Sequence, residues 1–447
     1  MSLRRAAGLL VLTGLAGSPL SAQESLRNLL QNGLFHFGDC AQPLCLNSSV
    51  SPAEHGSHYI ASTVGGTKNL LDFLSSAIAV GVSNVPISTA TSGITFSIVG
   101  GAPVPTSSSG GPIFGERVQT LGRGRFLIGA NVTGVQFTSV RGVPLDNVAF
   151  TFTHQNICRA TGAPPAAGAA CPNPFGIDSA LGSPVFENDV IEVHTSINLK
   201  MQVAALNLTY GLTNRVDVGV VVPFVRADLT GGSVARIVPF AQPTPHFFGT
   251  PTNPVYAAGA EVNGTATGIG DVAARLKVNL GGADRGFALL TEARFATGDE
   301  SQFLGSGEFA LSVLGIASAR FGNFSPHLNA GYRYRSGTAL TDAVLTTVGF
   351  DQLMSPWATL AVDVIGQWQA NKSTLALPGP VQFTQPVSRT VDPTNIPIRP
   401  DNILDGSFGF KFLTHSGITL VTNVLVPLNS GGMRGNVVWT GGAEYNF

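Results

Sequence analysis

Between Gly268 and Thr338 the sequence alternates strictly between polar or small side chains and apolar ones, and this alternation constrains the fold more than any other feature. The apolar members of its first run are Val272, Ala274, Leu276, Val278 and Leu280. Three similar runs follow after short breaks. A period of two residues is the pattern of a β-strand with one polar face and one apolar face. The stretch therefore predicts four consecutive amphipathic strands of about ten to fourteen residues each.

The length of these strands indicates a membrane protein. Strands of a soluble sandwich usually have about five or six residues, whereas longer strands in a meander are typical of transmembrane β-barrels. The composition agrees, because charged residues make up only 11% of the chain and mean hydropathy is positive at +0.25. We therefore predict an all-β fold, a transmembrane antiparallel up-and-down β-barrel of about 12–14 strands with a short, partly helical N-terminal segment. The net charge of −1 argues against a nucleic-acid partner.

Further alternating runs on both sides of this stretch bring the count to about 14 strands, or about 12 if a first hairpin within residues 77–101 lies outside the wall. An even number is what single-chain bacterial barrels have. Three segments rich in Pro and Gly predict long loops on the outer side of the membrane. These loops are residues 141–189, 227–267 and 371–401.

One predicted strand, Val190 to Tyr210, changes its pattern halfway along. The polar residues of its first half share one face and are Glu192, His194, Ser196, Asn198, Lys200 and Gln202. After Val203, apolar residues take these even positions instead. Because a slip of one residue moves every side chain to the other face of the sheet, the change predicts a β-bulge near Val203–Ala205.

The N-terminal residues do not alternate. Residues 1–22 have the positively charged start, short apolar core and small-residue end of a secretory signal peptide. Residues 23–75 include a weakly helical stretch at Ser25–Leu34, and they predict a segment that either plugs the lumen or lies at the periplasmic mouth. The barrel itself is expected over residues 76–447.

The four cysteines fall into two pairs outside the predicted strands. Cys40 and Cys45 lie in the N-terminal segment, and Cys158 and Cys171 lie in the first long loop. In an oxidising periplasm each pair favours a disulfide. The alternative for the first pair is a metal site, with ligands Cys40, Cys45, His55 and His58. We favour the disulfides and expect no metal or other cofactor.

The C-terminal residues are typical of a bacterial outer-membrane protein. The last predicted strand alternates aromatic and polar residues and ends on a terminal Phe. We predict that Trp439, Tyr445 and Phe447 belong to a signal read by the outer-membrane assembly machinery. The alternative is an ordinary edge strand.

Charged residues in the predicted strands are expected to face the lumen, because an Arg or Lys facing lipid at mid-membrane costs about 2–4 kcal/mol. The predicted lumen residues are Asp217, Asp271, Arg275, Lys277, Glu292, Arg294, Arg320, Arg333 and Arg335. One interpretation is a selectivity ladder that favours anionic solutes. The other is that opposite charges fill the lumen as pairs. The sequence leaves both open.

Several short motifs at strand ends resemble those of a known family. They are Tyr210–Gly219, Gly268–Asp271, Ala296–Asp299 with Leu304–Gly307, and Pro112–Arg117. Through these motifs, residues 77–447 resemble the outer-membrane barrels of the MetA-pathway of phenol degradation family and, more distantly, barrels of the long-chain fatty-acid transporter type. The resemblance implies an outer-membrane channel for small aromatic or hydrophobic compounds.

Two functional hypotheses follow. The first is a passive, monomeric transporter in the outer membrane of a Gram-negative-type bacterium, with outer-membrane lipid, the assembly machinery and a small-molecule solute as its partners. The second is a structural or surface-interaction barrel with a blocked lumen, whose long loops bind a partner. An enzyme is not expected, because His194, His327 and His415 have no nucleophile motif such as G-x-S-x-G beside them.

Overall fold

A computed structural model describes residues 24–38, 44–48, 96–99, 102–105, 109–153, 189–239, 246–282, 285–337, 341–371, 377, 380–383 and 388–447. Within these residues the helical elements are α1 (Leu26–Gln31) and two 3-10 turns, Gly33–Phe35 and Glu300–Gln302. None of the described helices is long and apolar enough to cross a membrane.

The strands before the first long wall hairpin are β1 (Asn47–Ser48), β2 (Phe96–Val99), β3 (Ala102–Pro105), β4 (Phe126–Val140), β5 (Val143–Pro144) and β6 (Val148–Thr153). The next are β7 (Val190–Gly211), β8 (Val216–Val238), β9 (His246–Thr250), β10 (Asn253–Val255), β11 (Ala257–Ile269), β12 (Ala273–Asn279), β13 (Arg285–Arg294) and β14 (Ala310–Ala319). The last are β15 (Phe324–Arg335), β16 (Ala343–Ser355), β17 (Ala358–Gln369), β18 (Val381–Phe383), β19 (Arg389–Val391), β20 (Ile403–Leu413), β21 (Ile418–Pro427) and β22 (Met433–Asn446).

Twelve of these strands close into an antiparallel barrel. The hydrogen-bonded order is β8, β12, β13, β14, β15, β16, β17, β20, β21, β22, β4, β7 and back to β8. Strand β11 continues the line of β12, since both pair with the same edge of β8 at different heights. The strands β2 and β3 pair only with each other among the described residues, so the lower of the two expected strand counts is confirmed.

The two ends of the barrel differ in their connections. At one end, called the short-turn end here, β7–β8, β14–β15 and β20–β21 are joined by tight turns. The other end, called the long-loop end, carries the connections between β4 and β7 and between β17 and β20. The predicted loop 227–267 is wrong in large part, because β8 continues to Val238 and β11 begins at Ala257. These Gly- and Thr-rich residues form the long-loop ends of β8 and β11, which extend past the lipid-facing part of the wall.

The outer face of the barrel carries a belt of exposed apolar side chains. Members from strands around the whole wall are Ile128, Leu208, Val220, Leu276, Leu289, Val313, Leu328, Val348, Val364, Phe408, Leu420 and Trp439. A continuous apolar surface of this extent requires lipid around it. Trp357 and Trp368, near opposite ends of β17, are both exposed in the manner of interfacial aromatic residues.

The predicted β-bulge near Val203–Ala205 is wrong. Strand β7 pairs with β8 in continuous register from Val190↔Val238 to Gly211↔Asp217. From Val193 to Leu208 its odd-numbered side chains are buried and its even-numbered side chains face outward. The strand therefore keeps its phase over its whole length.

The sequence pattern inverts because the surroundings of the strand change. Even-numbered residues of β7 face lipid from Ala204 to the short-turn end of the strand, and they face water from Gln202 back to the long-loop end. The neighbouring strand has its boundary at the same height, since outward Phe224 pairs with Ala204 and outward Arg226 pairs with Gln202. On the inner face, the odd-numbered residues on the long-loop side of the boundary are apolar because they pack against other parts of the chain. These inner residues are Ile191, Val193, Ile197, Leu199, Met201 and Val203.

This boundary gives a direct test within one strand. Leu206→Arg places a cation on the lipid-facing side, and it should lower the free energy of unfolding by about 2 kcal/mol or more. Gln202 is four residues away on the same face but on the water-facing side of the boundary. Gln202→Arg should therefore change the free energy of unfolding by close to zero. Chemical denaturation in lipid vesicles measures both variants. Equal effects of the two substitutions would contradict the boundary.

The described start of the N-terminal segment, residues 24–38, lies against the inner face of the barrel at the long-loop end. Leu26, Leu30 and Leu34 are fully buried in one cluster with inward-facing residues of β8 and β11. Two glycines make room for it, because a Cβ on Gly264 would lie 2.6 Å from a Leu26 methyl group and one on Gly231 would lie 3.2 Å from a Leu34 methyl group. The predicted helix at the start of this segment is confirmed as α1 and the 3-10 turn after it.

Several predictions about the termini and cysteines fall outside the described residues. The signal peptide, the boundary at residue 75 and all of residues 49–95 are among them. Of the four cysteines the structure describes Cys45 alone, so the two disulfides and the alternative metal site stay predictions. At the C-terminus, Trp439, Tyr445 and Phe447 are exposed on the outer face, and Phe447 stacks on Phe126 of β4 at 5.6 Å. Their role in assembly stays a prediction.

Candidate functional site

Residues 109–124 run through the barrel interior before entering β4, and we call them the lumen segment. Most of the segment is buried, including both of its ionisable residues in the middle, Glu116 and Arg117. Its route follows the inner wall from β17 and β20 towards β8, close to the short-turn end. It then joins the wall at Gly124, whose N–H donates to the Gly211 carbonyl at 2.8 Å.

Inward-facing polar side chains of the wall satisfy the backbone of the lumen segment. Gly110 N–H donates to Thr359 Oγ1 at 2.8 Å, and Glu116 N–H donates to Asn329 Oδ1 at 2.7 Å. Val118 N–H donates to Ser318 Oγ at 3.0 Å, and Leu121 N–H donates to Asp217 Oδ2 at 2.9 Å. An irregular buried segment must find such partners, since unpaired backbone groups are costly. Asp217, a predicted lumen residue, therefore anchors the segment.

Glu116 joins the lumen segment to β12 by two ion pairs. Its carboxylate oxygens accept from Arg275 Nη2 at 3.0 Å and from Lys277 Nζ at 2.9 Å. Arg275 also lies 3.3 Å from Glu292 on the neighbouring strand. The predicted lumen residues Arg275, Lys277 and Glu292 are thus brought together, and a residue from outside the wall completes their pairing.

Arg117 joins the same segment to β16. Its Nη1 lies 3.1 Å from Asp351 Oδ2, and the relative exposures of the two side chains are 5% and 0%. Ser109 donates its hydroxyl to the same carboxylate oxygen and accepts from Arg117 at 2.9 Å. The two adjacent residues Glu116 and Arg117 therefore tie the segment to strands on different sides of the interior.

Gly115 lies against a buried histidine–aspartate pair. His327 Nε2 and Asp363 Oδ1 are 2.6 Å apart, with both side chains at 0% exposure. A Cβ at Gly115 would lie 2.3 Å from His327 Nε2, and a Cβ at Gly349, which lies between the pair on β16, would lie 2.2 Å from Asp363 Oδ1. Only glycine fits at these two positions, so the segment and the wall fit each other closely here.

A second group of cations lies on the long-loop side of the Glu116 contacts. Glu292, Ser312 and Arg333 stand opposite one another on β13, β14 and β15. Arg294 donates to Glu292 at 3.2 Å, and Arg333 Nε donates to Ser312 Oγ at 3.0 Å. The side chains of Glu292 and Arg294 keep exposures of 17% and 18%, close to the 15% of Arg275 and above those of the Arg117–Asp351 and His327–Asp363 pairs. This part of the lumen is therefore less enclosed than those two pairs.

The remaining predicted lumen residues have other positions. Asp271 lies at the break between β11 and β12, where it accepts from Gly298 N–H and from Ser306 N–H and Oγ–H, so it fixes the loop after β13. Arg335 is 6% exposed, and its backbone N–H donates to Asp342. Arg320 is half-buried, one residue beyond the end of β14.

Sequence reasoning missed several partners of the lumen segment. Asp351, Asn329 and Thr359 hold the segment but were not among the predicted site residues. Each of them lies on the inward-facing side of its strand, as the predicted residues do. The alternation of the sequence could therefore have identified them. Lys411 and Glu444 also pair across the interior, at 3.4 Å, and both side chains are buried.

The structure thus defines a transmembrane β-barrel of twelve wall strands with a segment of its own chain in the lumen. No protein-family model matches the sequence, and no curated protein matches it. Among solved structures, an outer membrane channel from Pseudomonas putida F1 is similar at 11% identity and a TM-score of 0.40, covering 74% of this chain and 98% of that one.

Two further solved structures show a weaker likeness. A FadL homologue from Pseudomonas aeruginosa has 10% identity and a TM-score of 0.31, covering 72% of this chain and 89% of that one. A mutant of the monoaromatic hydrocarbon channel TodX has 9% identity and a TM-score of 0.28, with the same coverage of 72% and 89%. Likenesses of this size do not bear on function, so the functional argument below uses the geometry alone.

Proposed function

We propose that the protein is a passive outer-membrane channel for small molecules, hydrophobic or aromatic ones among them, and that the lumen segment closes it near the short-turn end. The observation that carries the proposal is the way the lumen is filled. The barrier is a single irregular stretch of chain held to the wall by hydrogen bonds, ion pairs and two small apolar clusters around Ile113 and Val118, whereas the large apolar cluster lies elsewhere.

Polar attachments of this kind favour a barrier that can move. Water and solute can replace hydrogen bonds one at a time at modest net cost, because the net contribution of each hydrogen bond is only about 0.5–1.5 kcal/mol. The segment is also continuous with the wall at β4, so it can shift without leaving the barrel.

The long-loop end of the interior supports hydrophobic or aromatic solutes. Its inner face is apolar along β7 and β8, and aromatic rings close it, with Phe35 packed at 5.5 Å from Phe150 and 5.7 Å from Phe152. Residues of the N-terminal segment now occupy this compartment. A solute that displaces them meets apolar walls first and charged residues afterwards.

The second candidate function is a structural or surface-interaction barrel with a blocked lumen. The burial of Arg117, Asp351, His327 and Asp363 favours it, since an open water-filled pore at this height would expose them. The two functions differ in what happens when the lumen segment is released.

Reconstitution of the full chain in planar bilayers and vesicles tests the proposal. We expect small, intermittent ionic currents from the wild type and uptake of arabinose into vesicles. An apolar aromatic probe such as 1-naphthol should block the current, and a sugar of similar size should not. If neither the wild type, nor a variant lacking residues 23–75, nor a variant with Glu116 and Arg117 neutralised passes ions or arabinose, the channel is excluded and the blocked barrel stands.

A further inference from the structure

We infer that Arg123, Arg125 and Arg215 form a binding site for the phosphate headgroup of an anionic phospholipid at the short-turn end of the barrel. The site belongs to the rim of the barrel rather than to its lumen, so the inference is independent of the proposed channel. Its basis is the way in which two neighbouring turns gather three arginines beside a lipid-facing aromatic surface.

Hydrogen bonds hold the start of β4 against the turn between β7 and β8. Gly211 N–H donates to the Arg125 carbonyl at 2.9 Å. Arg123 N–H donates to Asn214 Oδ1 at 3.1 Å, and Arg215 is the next residue along that turn. The three arginines therefore lie on two segments that are in direct contact, although Arg215 is far from the other two in the sequence.

The three arginines carry positive charge that the described part of the protein does not pair. Arg123 and Arg215 are exposed, and Arg125 is half-buried. None of the three side chains forms an ion pair with a carboxylate of the described residues. Their guanidinium groups are therefore available to an anion from outside the chain.

Among the described residues, three carboxyl groups lie near this part of the rim, and two of them have partners of their own. Asp217 is buried and accepts from the backbone of the lumen segment, and buried Glu444 pairs with Lys411. The third is the terminal carboxylate of Phe447, which forms no ion pair with the three arginines. Three guanidinium groups therefore stand against one carboxylate, and the cluster keeps a net positive charge.

The outward-facing side chains that lead to the arginines favour a lipid as the partner. Towards the short-turn end, exposed Ile128 is followed by exposed Phe126 on β4, and exposed Leu208 is followed by Tyr210 on β7. The Phe126 ring lies 4.5 Å from the Tyr210 ring and 5.6 Å from the Phe447 ring. The arginines come directly after these rings. Apolar, aromatic and cationic side chains in this order match the tails, the interface and the headgroups of one membrane leaflet.

The chemistry of the cluster selects a phospholipid with a net negative charge. The planar N–H donors of guanidinium match phosphate oxygens in pairs. Three such groups would repel the ammonium group of a zwitterionic headgroup, whereas an uncharged glycerol in its place would not be repelled. The rim itself offers a comparison, because the turn Ser355–Ala358 exposes Trp357 but has no charged residue. Anionic lipid should therefore collect beside β4 and β7 and not around the whole rim.

Native mass spectrometry of the purified full chain in detergent tests the site. The probes are phosphatidylglycerol and phosphatidylcholine with the same acyl chains, added in equal amounts. We expect phosphatidylglycerol to bind about tenfold more tightly than phosphatidylcholine. The variant Arg123→Gln/Arg215→Gln should weaken phosphatidylglycerol binding by about tenfold, because each cation at the membrane surface contributes to the attraction of anionic lipid.

The matched control is Lys200→Gln/Arg236→Gln, which also removes two exposed positive charges, but from the water-facing part of β7 and β8. It should leave binding unchanged. Equal binding of the two lipids by the wild type overturns the site, and this comparison does not depend on the folding of any variant. No loss in Arg123→Gln/Arg215→Gln, or an equal loss in the control, overturns it as well. A glutamate decapeptide is the third probe, and its tight binding without a preference for phosphatidylglycerol would assign the arginines to an acidic protein instead.

Discussion

Replacing Arg117 with Met is expected to lower the free energy of unfolding by about 3 kcal/mol, because it leaves the fully buried carboxylate of Asp351 without its cation. The remaining hydrogen bond from Ser109 to Asp351 keeps the cost at the lower end of the range for buried pairs. Denaturation of the barrel in lipid vesicles measures the change. In bilayers the same variant should conduct more than the wild type, since one of the two charged attachments of the lumen segment is lost.

The double variant Arg117→Met/Asp351→Leu is the control for this prediction. It removes both charges, and buried pairs replaced by apolar residues of similar size are often neutral in stability. The double-mutant cycle should therefore give a coupling energy of about 2 kcal/mol or more. If Arg117→Met costs no more than a surface substitution, the ion pair does not hold the segment in the membrane-embedded protein.

The second large effect is expected at Gly115. In Gly115→Ala the new methyl group would lie 2.3 Å from His327 Nε2 and 3.1 Å from Asp363 Oδ1, so the lumen segment or the histidine must move. Overpacking of this kind costs about 1–3 kcal/mol. Because the His327–Asp363 pair is anchored in the wall, we expect the segment to move and the conductance to rise.

Gly134→Ala is the control for the same substitution outside the lumen segment, since Gly134 lies in wall strand β4 and nothing lies within 4 Å of a Cβ at that position. It should change neither stability nor conductance. A Gly115→Ala variant that keeps wild-type conductance and stability would mean that the segment does not lie against His327.

The alternation of the sequence predicted the wall of the barrel well, because within each strand the polar and apolar positions show which side chains share the inner face and which share the outer face. Arg275, Glu292 and Arg333 could be placed on one face from their positions alone, and neighbouring strands bring them into register. The inverted half of β7 was misinterpreted for a physical reason. Alternation shows which residues share a face, but it does not show whether lipid, water or another segment covers that face.

The lumen segment could not be placed from sequence. Its residues do not alternate, and its contacts join positions far apart in the chain. Glu116 and Arg275 are 159 positions apart, and Arg117 and Asp351 are 234 positions apart. Adjacent Glu and Arg residues in a loop are usually solvated charges. Only the closed barrel brings their partners on β12 and β16 within reach, and this is why the wall charges were predicted and their pairing with the segment was not.

The most direct test of the proposed gated channel is the single-channel conductance of the full chain compared with Glu116→Gln/Arg117→Met, with heat-modifiability on gels used to confirm that both barrels are folded. The variant keeps every wall residue and the side-chain volumes of the segment nearly unchanged, but it removes both charged attachments. We predict brief, small openings for the wild type and long-lived, several-fold larger ones for the variant. Equal conductance of two folded barrels would contradict a channel closed by residues 109–124.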